Sequence, residues 1–325
     1  WLSFRCGAEP VTVLPSPLYE PYYWDKDQCQ EFGLDQDKFP PFAPLGSPIG
    51  KVSSEAAAYF GLPRGIPLIA GGPDFIMALI GVGAVAPGIV CDRGGTSEGI
   101  NLCTPGPVYA AGLRTLPHVE GEFWNLGAVL PVSGRLFEWY RELTGQTDRG
   151  YNELLEELIE KPVSGSALSS GEGLFFPPLS SPGTQAADLF MAGPGLPDRI
   201  GFGKAVLEAL GFLVRDALEI FSGRGFSIKE MRLSGGQSKN PRWNQLKADI
   251  TACTLLVPEI RDGELAGDAC VAARSLGEYS GLSQAVSGMI RFTESYTPSP
   301  GGVSRYTERF HAYRELREKA RSFPA

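Results

Sequence analysis

The pattern of apolar and polar positions divides the chain by texture. Residues 1 to 64 are rich in proline, aromatic residues and turn formers, with little sustained helical period. Two short helices are predicted there. One covers Asp25 to Phe32; the other covers Ser53 to Phe60, where Ser53 or Ser54 caps the start and Gly61 ends it. From Ile66 onward, strand and helix patterns alternate. Pro67 to Ala70 has the pattern of a short buried strand. Gly71-Gly72-Pro73-Asp74 then opens a helix reaching about Val85, with Pro73 and Asp74 suited to its first turn. Gly88 to Arg93 and Glu98 to Cys103 are predicted strands joined by the turn Gly94-Gly95-Thr96-Ser97.

Farther along, Gly121 to Leu130 is a predicted strand, and Ser133 to Thr144 and Tyr151 to Glu160 are amphipathic helices. Ser164 to Gly173 is a Ser/Gly-rich loop. Gly203 to Phe221 is a long apolar helix. Met231 to Ser234 is a strand, followed by Gly235-Gly236 and a helix from Pro241 to Ala252. Thr254 to Pro258 is a strand. Glu264 to Glu278 is a helix whose Ala/Gly face allows close packing, and Ser304 to Ala320 is a charged surface helix.

Composition narrows the function classes. Of 325 residues, 43% are hydrophobic and 20% charged, which suits a folded chain with a sizeable core. The formal charge of −8 and the absence of a long basic run give no attraction for nucleic acid or an anionic membrane. No apolar run has the length of a membrane span. The six cysteines form no CxxC pair and sit mostly among apolar neighbours, as buried reduced thiols of a cytoplasmic protein do. His118 and His311 are the only histidines, too few for a His-based site, so both are assigned structural roles and no metal ligand is assigned.

Three segments carry candidate chemistry. In Gly71-Gly72-Pro73-Asp74, a carboxylate stands at a strand end and a helix start. Asp74 either caps that helix or serves as a general base at the mouth of a cleft. Asp92-Arg93-Gly94-Gly95-Thr96-Ser97 is either a plain hairpin turn or a backbone cradle for phosphate. Leu233-Ser234-Gly235-Gly236-Gln237-Ser238 precedes a helix and is either a tight connection or a nucleotide cradle. There is no Walker loop and no GxGxxG.

Taken in order, these segments resemble the FGGY carbohydrate kinases. Ala70-Gly71-Gly72-Pro73-Asp74, Gly81 to Gly88, Gly95-Thr96-Ser97, and Gly127-Ala128-Val129 with Ser133-Gly134 follow that family's sequence of blocks. So do Gly173 to Leu179, Ala205 to Ala209, Ser234-Gly235-Gly236 with Ala248-Asp249-Ile250, and Ala266 to Ala273. The finer likeness is to xylulokinase-like members. The resemblance implies an α/β chain with the actin-like ATPase (ribonuclease H-like) fold. Residues 65–325 would be the ATP-binding lobe and residues 1–64 the end of the sugar-binding lobe. It implies ATP and Mg²⁺ as cofactors and phosphorylation of a small sugar or polyol hydroxyl, with a ketopentose such as xylulose favoured. Asp74 matches the catalytic base. Gly95, Thr96, Gly134, Gly236 and Gln237 match nucleotide-contacting positions, and Asn240 falls where some members contact adenine.

Departures from the pattern carry expectations too. Phe75 stands where relatives often have a polar residue that touches the sugar. Glu98 replaces a usual Gly and would repel phosphate if it pointed inward, and Glu138 replaces a Gln used near the nucleotide. Ser180 to Ala187 lacks the usual charged pattern. The chain starts with Trp1, and the family's Asp-x-Gly-Thr loop and most sugar contacts have no counterpart in it. A truncated kinase with little activity of its own is expected, with an open sheet face available to a second copy as a homodimer. The alternative is a non-catalytic nucleotide-binding or regulatory remnant. In an unrelated α/β enzyme with fortuitous glycine turns, Asp74 and Thr96 would lie far apart.

Overall fold

The computed structural model describes residues 1–130, 132–161, 173–177, 190–192 and 198–321. Its first part is built of short elements: α1 (Leu2–Cys6), β1 (Thr12–Leu14), α2 (Lys26–Glu31), β2 (Phe42–Pro44), β3 (Pro48–Lys51), α3 (Ser54–Phe60) and β4 (Pro67–Ile69). Asp25 and Ser53 cap α2 and α3, accepting from the amides of Gln28 and Ala56. β1 pairs with β2 in parallel, and β3 pairs with β4 antiparallel. β4 is not a buried strand: Pro67 is exposed and Leu68 and Ile69 are half-buried, in a sheet of two strands that lacks the flanking strands of the main sheet.

The body then alternates strands and helices. It runs α4 (Asp74–Gly81), β5 (Val90–Gly94), β6 (Glu98–Thr104), β7 (Arg114–Pro117), β8 (Trp124–Leu130), α5 (Ser133–Leu143) and α6 (Tyr151–Glu160). It continues through β9 (Leu174–Phe176), β10 (Phe190–Ala192), α7 (Arg199–Ser222), β11 (Glu230–Ser234), α8 (Pro241–Thr251) and β12 (Thr254–Pro258). The last elements are α9 (Gly263–Ser275), α10 (Leu282–Met289), β13 (Phe292–Tyr296) and α11 (Pro300–Arg321). A mixed seven-stranded sheet has the order β13-β12-β11-β5-β6-β8-β7, with β5, β11 and β12 parallel.

Alternation along β5 decides what covers each face. Val90 points to the side where Ile100, Leu102, Leu126 and Leu233 meet Val214, Ala217 and Phe221 of α7. Cys91 points to the other side, against Leu79, Val82 and Ala84 at and after α4. Burying each large apolar side chain of this kind contributes roughly 1.5–3 kcal/mol. On that second side α4 and α9 cross at glycines. A Cβ on Gly81 would fall 1.9 Å from the Gly263 carbonyl oxygen, and one on Gly267 would fall 2.0 Å from that of Met77. The close packing predicted from the Ala/Gly face is thus backbone against backbone.

Several boundaries differ from expectation for local reasons. α4 stops at Gly81 rather than near Val85, since Gly83 takes a left-handed φ of 73°. α7 starts earlier, at Arg199, because the Asp198 carboxylate accepts from the Gly201 amide at 2.7 Å. α11 is not simply a surface helix. Phe310 and Tyr313 are buried against Phe212 of α7, and Tyr313 stacks on Phe176 with centroids 4.8 Å apart. The Ser/Gly loop before Gly173 and the stretch Ser180 to Ala187 lie outside the described residues. Among the described residues no helix is long and apolar enough to cross a membrane.

Candidate functional site

The turn between β5 and β6 closes on itself, with the Gly95 amide donating to the Ser97 carbonyl at 2.9 Å. Its carbonyls face the start of α5: Gly134 N donates to Gly95 O at 3.1 Å and Arg135 N to Thr96 O at 3.0 Å. Among the described residues, the amides of Thr96 and Ser97 donate to no protein group. Contact this close needs glycine, as a Cβ on Gly134 would sit 2.3 Å from Gly95 O. A second turn abuts the first. Gly235 follows β11 at φ 86°, its Cβ position 2.4 Å from Gly94 O, and leads into a single 3₁₀ turn, Gly236–Lys239. The first amides of such a turn have no partner within it.

Together these turns border a cavity of about 770 Å³ lined by Gly95, Thr96, Gly134, Gly236, Gln237 and Asn240. Its volume suits a small-molecule site. Leu155, Leu207, Leu210 and Trp243 supply an apolar wall. The Gln237 and Asn240 side chains at its edge are already engaged. Gln237 Nε2 donates to Gly95 O at 3.0 Å and to Ser133 Oγ at 2.8 Å, while its Oε1 accepts from Trp243 Nε1 at 3.2 Å. Asn240 caps α8, with its Oδ1 accepting from Trp243 N at 2.9 Å, and its Nδ2 donates to Asn152 Oδ1 at 3.0 Å. Glu138 also lines the cavity and is bound to Arg141 and the Tyr151 hydroxyl; these bonds draw its carboxyl below the usual range.

Asp74 opens α4 with its side chain 68% exposed. Its Oδ1 accepts from the Phe75 amide at 2.6 Å, and its Oδ2 accepts from Arg93 Nη2 at 2.7 Å. Arg93 Nε also binds Glu264 Oε1 at 2.7 Å. Asp74 therefore meets the strand that leads into the Gly94–Ser97 turn, three residues ahead of Thr96. Phe75 packs into the apolar contacts beneath α4. A smaller cavity of about 380 Å³ borders Gly71, Gly72 and Pro73, together with Ser3, Thr12 and Tyr23.

Glu98 does not confront the cavity. It is buried on β6, 2.6 Å from Lys247 Nζ, and Lys247 also binds Asp92 Oδ2 at 2.7 Å. A carboxylate neutralised by a buried ammonium repels little at a distance, which removes the repulsion expected from the sequence. Sequence reasoning missed Lys247, Glu264 and Trp243, and it gave Arg93 and Ser133, which stand inside the quoted segments, no role of their own. The available signal was the i, i+4, i+7 stripe Trp243, Lys247, Ile250, which puts a lysine on an apolar helix face. Among the described residues no group of three or more His, Cys, Asp or Glu is placed to hold a metal ion.

Residues 93–276 match the sequence profile of the FGGY family of carbohydrate kinases, C-terminal domain, and residues 20–81 match that family's N-terminal domain. The chain belongs to the FGGY family of carbohydrate kinases. It is similar to the xylulose kinase of Bacillus subtilis, 26% identical over 302 residues, covering 90% of this chain and 59% of the relative. The solved xylulose kinase of Rhodospirillum rubrum superposes with a TM-score of 0.72 at 22% identity, over 91% of this chain and 60% of that one. The Plasmodium falciparum glycerol kinase with ADP superposes with a TM-score of 0.74 at 18% identity, over 97% and 65%. The fold is accordingly the actin-like ATPase fold of FGGY kinases. The chain spans about 60% of the length of the curated relatives it matches.

Proposed function

We propose that the 770 Å³ cavity binds ATP and that Asp74 is the general base that takes the proton from a sugar or polyol hydroxyl as it attacks the γ-phosphate. One observation carries this reading: the β5–β6 turn, the start of α5 and the 3₁₀ turn after β11 converge on one cavity, and Asp74 is bonded to the strand feeding that turn. The Thr96 and Ser97 amides and the first amides of Gly236–Lys239 suit phosphate oxygens. The wall of Leu155, Leu207, Leu210 and Trp243 suits the flat face of a base. With the Gln237 and Asn240 side chains engaged elsewhere, these positions would meet the nucleotide mainly through backbone and shape.

Each oxygen of an ionised carboxylate has a second acceptor position, so Asp74 can hold Phe75 N and Arg93 and still accept a substrate proton. Arg93 fixes the direction of that carboxylate. Mg²⁺ would come with the triphosphate, bridging and neutralising its oxygens. A ketopentose is the favoured acceptor, on the likeness to xylulose kinases.

The test is ADP release from MgATP by the native-length protein, with xylulose, glycerol and an aldonate as acceptors. Xylulose is expected to turn over fastest, and Asp74→Asn to lose about 10²–10⁴-fold in kcat with ATP affinity kept. ATP binding without turnover on any acceptor would select a non-catalytic nucleotide-binding role. Absence of ATP binding would overturn the reading altogether.

A further inference from the structure

A closed circuit of side chains runs beneath the cavity. Lys247 Nζ lies 2.6 Å from Glu98 Oε1, and Glu98 Oε2 accepts from Ser133 Oγ at 2.5 Å. Ser133 Oγ accepts from Gln237 Nε2 at 2.8 Å, and the same Nε2 donates to Gly95 O at 3.0 Å. Gln237 Oε1 accepts from Trp243 Nε1, whose ring lies 5.3 Å from Lys247 Nζ and closes the circuit. Lys247, Glu98, Ser133 and Trp243 are all buried, and of these side chains only Trp243, with Gln237, borders the cavity.

We propose that Glu98 is a positioning residue for the phosphate-binding turn: it fixes Ser133, Ser133 fixes the Gln237 amide, and that amide holds the Gly95 carbonyl. The inference rests on the reading of the cavity as a nucleotide site. A turn held by its carbonyls meets an anion with its amides, which is the orientation phosphate needs. Ser133 has one hydrogen and gives it to Glu98, so its lone pairs must face Gln237, and Gln237 must present its NH₂ rather than its carbonyl. The carboxylate thus sets the direction of the Ser133 bonds, and the donor-only Trp243 indole turns the Gln237 amide the same way. Lys247 makes a carboxylate tolerable in this dry place, since an unpaired one would be too costly to bury. Burial and the adjacent Glu98 charge push Asp92 well above the usual carboxylate range, so Lys247 and Glu98 are the charges that cancel.

The test compares ATP and adenosine affinities in the intact chain. Adenosine shares the apolar wall and lacks the phosphates. Ser133→Ala and the double variant Lys247→Met/Glu98→Leu are expected to weaken ATP about 10-fold, with adenosine changed less than about twofold. Lys247→Met/Glu98→Gln keeps an acceptor oxygen for Ser133 and is expected to recover most of that loss. A purely structural role moves both ligands together, or neither. Either result, or a Gln variant as weak as the Leu variant, would overturn the proposal; should the double variants fail to fold, Ser133→Ala decides by the same comparison. If the unaltered chain binds no ATP, the reading of the cavity fails instead.

Discussion

Neighbouring residues on β5 anchor two ion clusters of opposite character. Arg93 points toward α4 and α9, where it joins Asp74 and Glu264 in a group open to water, with the Asp74 side chain 68% exposed. Asp92 points the other way, toward α8, where it joins Lys247 and Glu98 in a group with side chains no more than 2% exposed. Strand alternation alone separates them. The open cluster can exchange partners cheaply, and it holds the carboxylate proposed as the general base. The dry cluster cannot exchange partners without stranding a charge, and it props the turn from behind. A hydrated cluster and a dry one are thus placed back to back on one strand.

The sharpest way to break this contrast is Lys247→Met. It leaves Glu98 without its cation in a dry pocket, and a loss of about 3–5 kcal/mol is expected in urea denaturation. A loss below about 1 kcal/mol would mean that water reaches the cluster, as it does at Asp74.

A buried neutral group away from both clusters supplies the next effect. His118 is buried, and burial pulls its imidazole down to about 4 even though a bond to the Ala84 carbonyl opposes the change. Its folded value lies below its ordinary value of 6.5, so the neutral form is the folded one. Its contribution is complete above pH 6.5 and is lost as the pH falls toward 4, on the order of 3 kcal/mol in all. Denaturation midpoints measured between pH 7 and pH 4 should fall accordingly, and His118→Gln should flatten that slope.

Gly134→Ala sharpens the comparison from the cavity side. The added methyl meets Gly95 O, and a cost of about 1–3 kcal/mol is expected, with weaker ATP binding. The smallest effect belongs to the open cluster. Arg93→Gln is expected to change stability by less than about 1 kcal/mol, read as a shift in thermal midpoint, because its partners stay hydrated.

Glycine turns and periodic helices were legible in the sequence because their causes are local. Gly94–Ser97, Tyr151–Glu160 and Thr254–Pro258 each follow from neighbouring residues. The elements predicted above omit the short α1, β1, β2, β3, β9 and β10, and also β7, α10 and β13. β7 is a four-residue edge strand ending in Pro117, and β13 depends on β12 for its pairing. The dry cluster was invisible for a different reason: Lys247 lies 155 residues from Asp92, and only the packed sheet brings them together. Glu98 could be singled out as unusual, but its partner could not be named. At Asp74 the sequence supplied the carboxylate and its helix start; the tie to Arg93 required the fold.

Gly236→Val offers the most direct test of the proposal that the 770 Å³ cavity binds ATP. A Cβ at Gly236 meets nothing within 4 Å, so the side chain enters open cavity without strain in the protein. Titration calorimetry should show MgATP binding to the unaltered chain and at least about a tenfold loss in the variant, with thermal stability kept. Equal affinity in the two proteins would contradict ATP binding in this cavity.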